Sequence, residues 1–168
     1  MEVFLSEHKI SFYLNGNPVS ATVESRIHAA DFLRKQIGLT GTHIGCEQGV
    51  CGMCTIMLNG QAIKSCLLLA VQMNNCNIET VESLSDNDEL NAVQKAFKKH
   101  HALQCGFCTP GFLMLATSLK ITGQKFSRED IRSEISGTIC RCTGYEGIIN
   151  AIEDYLNSDN ENSYSFSQ

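Results

Sequence analysis

The chain has 168 residues, 43% of them hydrophobic and 18% charged, with a formal net charge of −5. Such a composition describes a folded chain rather than a disordered one and leaves no basic surface for nucleic acid. The length allows one medium domain or two small ones, and the longest apolar runs, 67–71 and 112–116, fall far short of a membrane span.

Residues 1–10 lack the basic start and apolar stretch of an export signal, so a cytoplasmic protein is expected. In that reducing setting the nine cysteines point to metal or redox chemistry rather than structural disulfides, and an odd count fits complete pairing poorly.

The first half alternates in strand fashion. Ile10, Phe12 and Leu14 alternate with polar residues, Asn15-Gly16 supplies a turn, and Val19, Ala21 and Val23 alternate again, which predicts a hairpin. Between residues 27 and 37 the spacing becomes helical, with Ala30, Leu33 and Ile37 on one stripe and Gly38 as the stop. Residues 55–58 and 61–63, joined by Asn59-Gly60, predict a second hairpin, and residues 77–81 a strand that closes the sheet.

The second half has almost no strand signal. The run Ser85-Asp86-Asn87-Asp88 is suited to cap a helix carrying Leu90, Val93 and Phe97. Pro110 opens another, with Phe112, Leu115, Ala116 and Leu119 before Gly123. Ser127-Arg128-Glu129-Asp130 caps a third carrying Ile131 and Ile135, and residues 145–156 predict a fourth with Ile148, Ile152, Tyr155 and Leu156 inward. The expected architecture is α+β, a small sheet domain over 8–84, four helices in a bundle over 85–156, and a polar tail at 157–168.

Eight of the nine cysteines fall into two groups. Cys46, Cys51 and Cys54 have the spacing C-x4-C-x2-C, with Cys66 eleven residues further on, the plant-type [2Fe–2S] arrangement. Three thiolates converging from one loop require a tightly curled backbone, which Gly45, Gly49 and Gly52 permit. Zinc sites instead pair two C-x2-C units, and bystander thiols do not gather three to a loop.

Cys105 and Cys108 form C-x2-C at the start of a predicted helix, and Cys140 and Cys142 form C-x-C just before the last one. Helix N-termini bring positive partial charge to an anionic centre, and Arg141 adds more. Taken alone, this second group accepts zinc about as readily as iron and sulfide.

Three segments occur in order: Gly45-Cys46-Glu47-Gln48-Gly49-Val50-Cys51-Gly52-Met53-Cys54-Thr55, Gln104-Cys105-Gly106-Phe107-Cys108-Thr109-Pro110-Gly111, and Cys140-Arg141-Cys142-Thr143-Gly144-Tyr145. Together they resemble the iron–sulfur subunit of the xanthine oxidase family of molybdenum hydroxylases, over about residues 8–156. The resemblance implies a ferredoxin-like β-grasp domain followed by a four-helix bundle. It implies two [2Fe–2S] clusters, one on Cys46, Cys51, Cys54 and Cys66, the other on Cys105, Cys108, Cys140 and Cys142.

The resemblance also implies partners. A large subunit would carry a molybdenum–molybdopterin cofactor and hydroxylate substrate with oxygen from water. A medium subunit would carry FAD, the whole forming a heterotrimer or a dimer of heterotrimers. Electrons would leave molybdenum singly through the bundle cluster and then the ferredoxin-type cluster, with Gln104 and Cys142 against the pterin and Gln104 hydrogen-bonded to it. Alternative readings are a stand-alone two-cluster ferredoxin and a zinc-stabilised interaction module.

One position departs from the pattern, Met53, where the family commonly has Ala or Ser. A longer, polarizable side chain there alters packing without removing a ligand. Cys76 lies outside both groups and reads as a packed thiol. His100 and His101 invite a Rieske-type reading, but cysteines already fill all eight ligand positions. His43 reads as a packing or surface histidine, Lys95, Lys98 and Lys99 as a solvated helix face, and the neighbours Glu153 and Asp154 as no acid–base pair.

Overall fold

A computed structural model describes residues 6–85 and 89–158. Strands β1 (Glu7–Leu14) and β2 (Asn17–Glu24) form the expected antiparallel hairpin, with Leu14 opposite Asn17. Asn15 and Gly16 take φ of 50° and 79°, the pair of left-handed residues that a two-residue hairpin turn needs to match strand twist. Strands β3 (Thr55–Leu58) and β4 (Gln61–Lys64) repeat the design around Asn59-Gly60.

Strand β5 (Asn77–Glu79) does not lie at an edge. It runs between the hairpins, parallel to β1 and antiparallel to β3, giving the order β2-β1-β5-β3-β4. A parallel neighbour requires a crossover, and α1 (Ala29–Asp31) with the π-helical turn Phe32–Ile37 lies on that crossover. Gly38, at φ 88°, ends this helix as expected. Ile10, Phe12, Leu14, Phe32, Leu33, Ile56, Met73 and Ile78 form the core between helix and sheet.

Four helices follow: α2 (Ala92–Lys99), α3 (Thr109–Ile121), α4 (Arg128–Glu134) and α5 (Glu146–Asn157). Helix α2 starts later than the sequence suggests. Asn91 is its N-cap, sharing a reciprocal capping box with Gln94, while Ser85 donates to Gln94 Oε1 from outside the helix. Residues 86–88 of the expected cap lie outside the described residues, as does 159–168 of the expected tail. Ser127 and Asp130 cap α4 as predicted.

Helix α5 packs on α2, α3 and α4, while α3 lies across the second face of β3 and β4. The second core joins Val93, Phe97, Phe112, Met114, Ile131, Ile148 and Ile152 to Met53 and Met57 of the sheet half. Helices and sheet thus share one apolar layer. Among the described residues, no helix is long and apolar enough to cross a membrane.

Candidate metal centres

The loop between the π-helical turn and β3 carries Cys46, Cys51 and Cys54, and Cys66 enters from the short turn Ser65–Leu67 just after β4. Hairpin geometry explains the meeting: Ser65 donates from its amide and its hydroxyl to the Cys54 carbonyl, holding the strand ends together. Cys51, Cys54 and Cys66 are buried and Cys46 is half-exposed.

The loop turns its amides inward. Gln48 and Cys51 N–H groups each donate to Cys46 Sγ at 3.4 Å. They pull that thiol down to about 7. Burial, with the Cys54 thiol beside it, pushes Cys66 up to about 11.

The second quartet sits where two helix junctions meet. Cys108 is the N-cap of α3, and Cys140 and Cys142 precede α5. Cys142 Sγ lies 3.6 Å from Cys105 Sγ, and the Cys108 and Cys140 thiols are hydrogen-bonded to each other. The quartet is layered, with Cys108 and Cys140 buried and Cys105 and Cys142 exposed beside an exposed Gln104. Burial, then the neighbouring Cys140, pushes Cys108 up to about 12. Burial also raises Cys140, but bonds from the Thr143 hydroxyl and amide outweigh it and bring that thiol below its ordinary value. The Cys105 thiol raises Cys142.

Four thiols this close cannot all ionise without a cation to hold them, and ionised thiolates are what a metal centre requires. All nine cysteines are free thiols; Cys46 interacts with Cys51, and Cys66 with Cys54 and Cys46, while Cys105, Cys108, Cys140 and Cys142 interact among themselves as soft donors. Cys76 joins neither set; its S–H points to the Gln72 and Asn74 carbonyls at 3.6 and 3.7 Å.

The two centres are in contact. The Ile139 amide donates to the Cys51 carbonyl at 2.9 Å. A Cβ on Gly111 of α3 would meet the Gly52 carbonyl oxygen at 2.3 Å, and one on Gly52 would meet the Gly137 carbonyl at 2.6 Å. Only hydrogen at those positions lets the cysteine loops approach so closely. Met53, buried in the shared core, fills the layer beside them.

The histidines behave as structural groups. His43 binds the Phe107 carbonyl through Nδ1 at 2.8 Å and stacks on the Phe107 ring at 4.7 Å. His100 ends α2 and lies 2.9 Å from Asp154, which Lys99 also reaches. His28 approaches Asp31 and Glu47 within 3.9 Å, but its Nδ1 accepts the Asp31 amide. The neutral ring therefore presents an N–H at Nε2, not the lone pair a cation would need.

Sequence reasoning missed Thr143, Tyr145 and Ile139. The Thr in C-x-C-T was a usable signal, being a hydroxyl three residues past a cysteine; the Ile139 contact is pure backbone and leaves none.

Comparison with known proteins agrees with this geometry. A family model described as 2Fe-2S iron-sulfur cluster binding domain matches residues 12–105, and one described as [2Fe-2S] binding domain matches 80–153. The gamma subunit of caffeine dehydrogenase from Pseudomonas sp. (strain CBB1) is 51% identical over 154 residues, 89% of this chain and 91% of that one. The small subunit of nicotine 6-hydroxylase from Paenarthrobacter nicotinovorans is 49% identical over 146 residues, covering 87% and 88%. The crystal structure of quinoline 2-oxidoreductase from Pseudomonas putida 86 matches with a TM-score of 0.86 at 54% identity, over 89% of this chain and 93% of that chain. With two cysteine quartets on a mixed sheet and its companion helices, the chain belongs to the iron–sulfur subunits of the molybdenum hydroxylase family.

Proposed function

We propose that this subunit relays single electrons through two [2Fe–2S] clusters, one on Cys46, Cys51, Cys54 and Cys66 and the other on Cys105, Cys108, Cys140 and Cys142. The observation that carries the reading is the 2.9 Å backbone hydrogen bond from Ile139 to Cys51. It joins a member of one quartet to the residue beside a member of the other, with no side chain between. When bound, each cluster supplies one-electron storage, and tunnelling between such centres favours a rigid bonded path over a gap of solvent.

Exposure supports a direction of flow. Cys105, Cys142 and Gln104 stand at the surface of the helical half, which suits that quartet to receive electrons from the molybdopterin of a large subunit, Gln104 hydrogen-bonding to the pterin. Exposed Val50 and Leu67 beside the other quartet suit it to meet an FAD-bearing medium subunit. We assign 8–84 as the ferredoxin-like domain and 85–156 as a four-helix bundle; a core that lies wholly within 8–84 on one face of the sheet supports that division. The relatives are named for caffeine, nicotine and quinoline, so the partner's substrate is proposed to be an N-heteroaromatic ring.

The test is the native complex, purified anaerobically. About four irons and four sulfides per copy of this chain, and two EPR signals after dithionite reduction, are expected alongside molybdenum and flavin in the partner chains. Zinc without sulfide would overturn the assignment. A chain holding both clusters yet purifying alone would favour a free-standing carrier, and turnover of aldehydes but not quinoline or nicotine would overturn the substrate class.

A further inference from the structure

Among the described residues, one side chain other than a cysteine donates to a sulfur of either quartet. Thr143 Oγ1 lies 3.2 Å from Cys140 Sγ, and its amide lies 3.4 Å from the same atom. The hydroxyl is oriented by its surroundings. The Tyr145 amide donates to Thr143 Oγ1 at 3.1 Å, occupying a lone pair and leaving the single hydroxyl proton for the sulfur.

Tyr145 is fixed in turn. Its phenol oxygen accepts the Cys140 amide at 2.9 Å, its ring packs edge-on against Phe112, and its backbone takes φ of 68°. Residues 140–145 thus close on themselves around one sulfur. Cys140 is 8% exposed, so little water competes for that sulfur. By contrast, the bonds to Cys46 come from backbone amides, which no side-chain truncation removes.

We infer that the Thr143 hydroxyl sets the reduction potential of the cluster held by Cys105, Cys108, Cys140 and Cys142, a role that rests on the two-cluster reading above. A donor aimed at a ligand sulfur draws off negative charge and stabilises the reduced cluster more than the oxidised one. In the step concerned the cluster gains one electron from a one-electron donor and later loses it; the hydroxyl keeps its proton and no bond to iron changes. Thr143 therefore makes this centre easier to reduce than it would be without the hydroxyl.

The experiment is an EPR-monitored potentiometric titration of the purified holocomplex, poised with dithionite. For Thr143→Val the equilibrium constant for reducing one cluster should fall at least tenfold, ~59 mV for one electron, with the other cluster unmoved. Thr143→Ser should titrate like wild type. If Thr143→Val does not assemble, Thr143→Ala reads the same quantity. Two intact EPR signals with unchanged potentials in Thr143→Val or Thr143→Ala would overturn the inference, as would an equal fall in Thr143→Ser, which traces the effect to packing. Absence of both signals from the wild-type complex is a different failure, that of the cluster assignment itself.

Discussion

The amide of Ile139 donates to the carbonyl of Cys51 across 2.9 Å, stitching the loop before Cys140 to the loop that carries three cysteines of the other quartet. The approach is close because Gly52, beside Cys51, lies against Gly137 and Thr138 as well as Gly111, and Lys64 adds a bond to the Gly137 carbonyl at 3.1 Å. The two cysteine-bearing loops are therefore held by one piece of backbone packing.

That packing is testable with one methyl group. In Gly111→Ala the new Cβ would meet backbone oxygen at 2.3 Å, and backbone cannot swing aside as a side chain can. A loss of about 1–3 kcal/mol is expected from overpacking, measured by urea unfolding. Gly137→Ala, whose Cβ would meet only Lys64 Nζ at 3.6 Å, should stay within ~0.5 kcal/mol of wild type. Equal stability of all three proteins would refute the tight approach.

The quartets make a second prediction. Replacing Cys54 or Cys108 by Ser should remove one EPR signal each and lower iron from about four to about two per chain. Cys76→Ser should leave iron, sulfide and both signals unchanged, because its thiol points to the Gln72 and Asn74 carbonyls and packs against the sheet core, apart from the other eight cysteines. Loss of iron from the Cys76 variant would mean that the quartets have been drawn wrongly.

Much of this was legible because it is local. Ile10, Phe12 and Leu14 alternate around Asn15-Gly16, and the hairpin is there. Ser127 and Asp130 stand three apart, and the capped helix is there. The cysteine spacings picked out the local runs Cys46-Cys51-Cys54, Cys105-Cys108 and Cys140-Cys142, because such loops curl within a few residues.

What stayed hidden depends on distant partners. Three residues of β5 carry no mark telling that they pair with Tyr13 and Leu14 on one side and Met57 and Leu58 on the other. Asn91 won the capping of α2 over an apparently richer polar run because its side chain and that of Gln94 satisfy each other's backbone. The Ile139–Cys51 bond leaves no trace in side-chain chemistry at all.

Asp154 offers a test on the surface. Lys99, then His100, holds its carboxyl below the usual range. A depressed carboxylate contributes stability above its unfolded value of ~3.9 and loses it as pH falls through the folded value. Between pH ~5 and ~8 the difference between wild type and Asp154→Asn should therefore stay flat with respect to this carboxylate. Its size should be under ~1 kcal/mol, since the pair is largely solvated, and smaller still in high salt. A large, salt-independent loss in urea unfolding would contradict this.

Glu79 should show the opposite pH behaviour. It lies on β5 opposite Met57, 6% exposed, and its Oε2 has no hydrogen-bond partner among the described residues. Burial pushes its carboxyl above the ordinary range. An acid raised in this way favours the folded state while protonated. Its contribution is complete below the unfolded value of ~4.3 and is lost as pH rises through the folded value. Glu79→Gln removes the ionisation while keeping the shape. The variant should match wild type near pH 4 and exceed it by about 1–3 kcal/mol near pH 8, the cost of an unpaired buried oxygen. Thermal melts across that range read the effect directly. A stability difference that does not change with pH would mean that Glu79 ionises in the folded state as it does in the unfolded one, and that its burial between sheet and helices carries no such penalty.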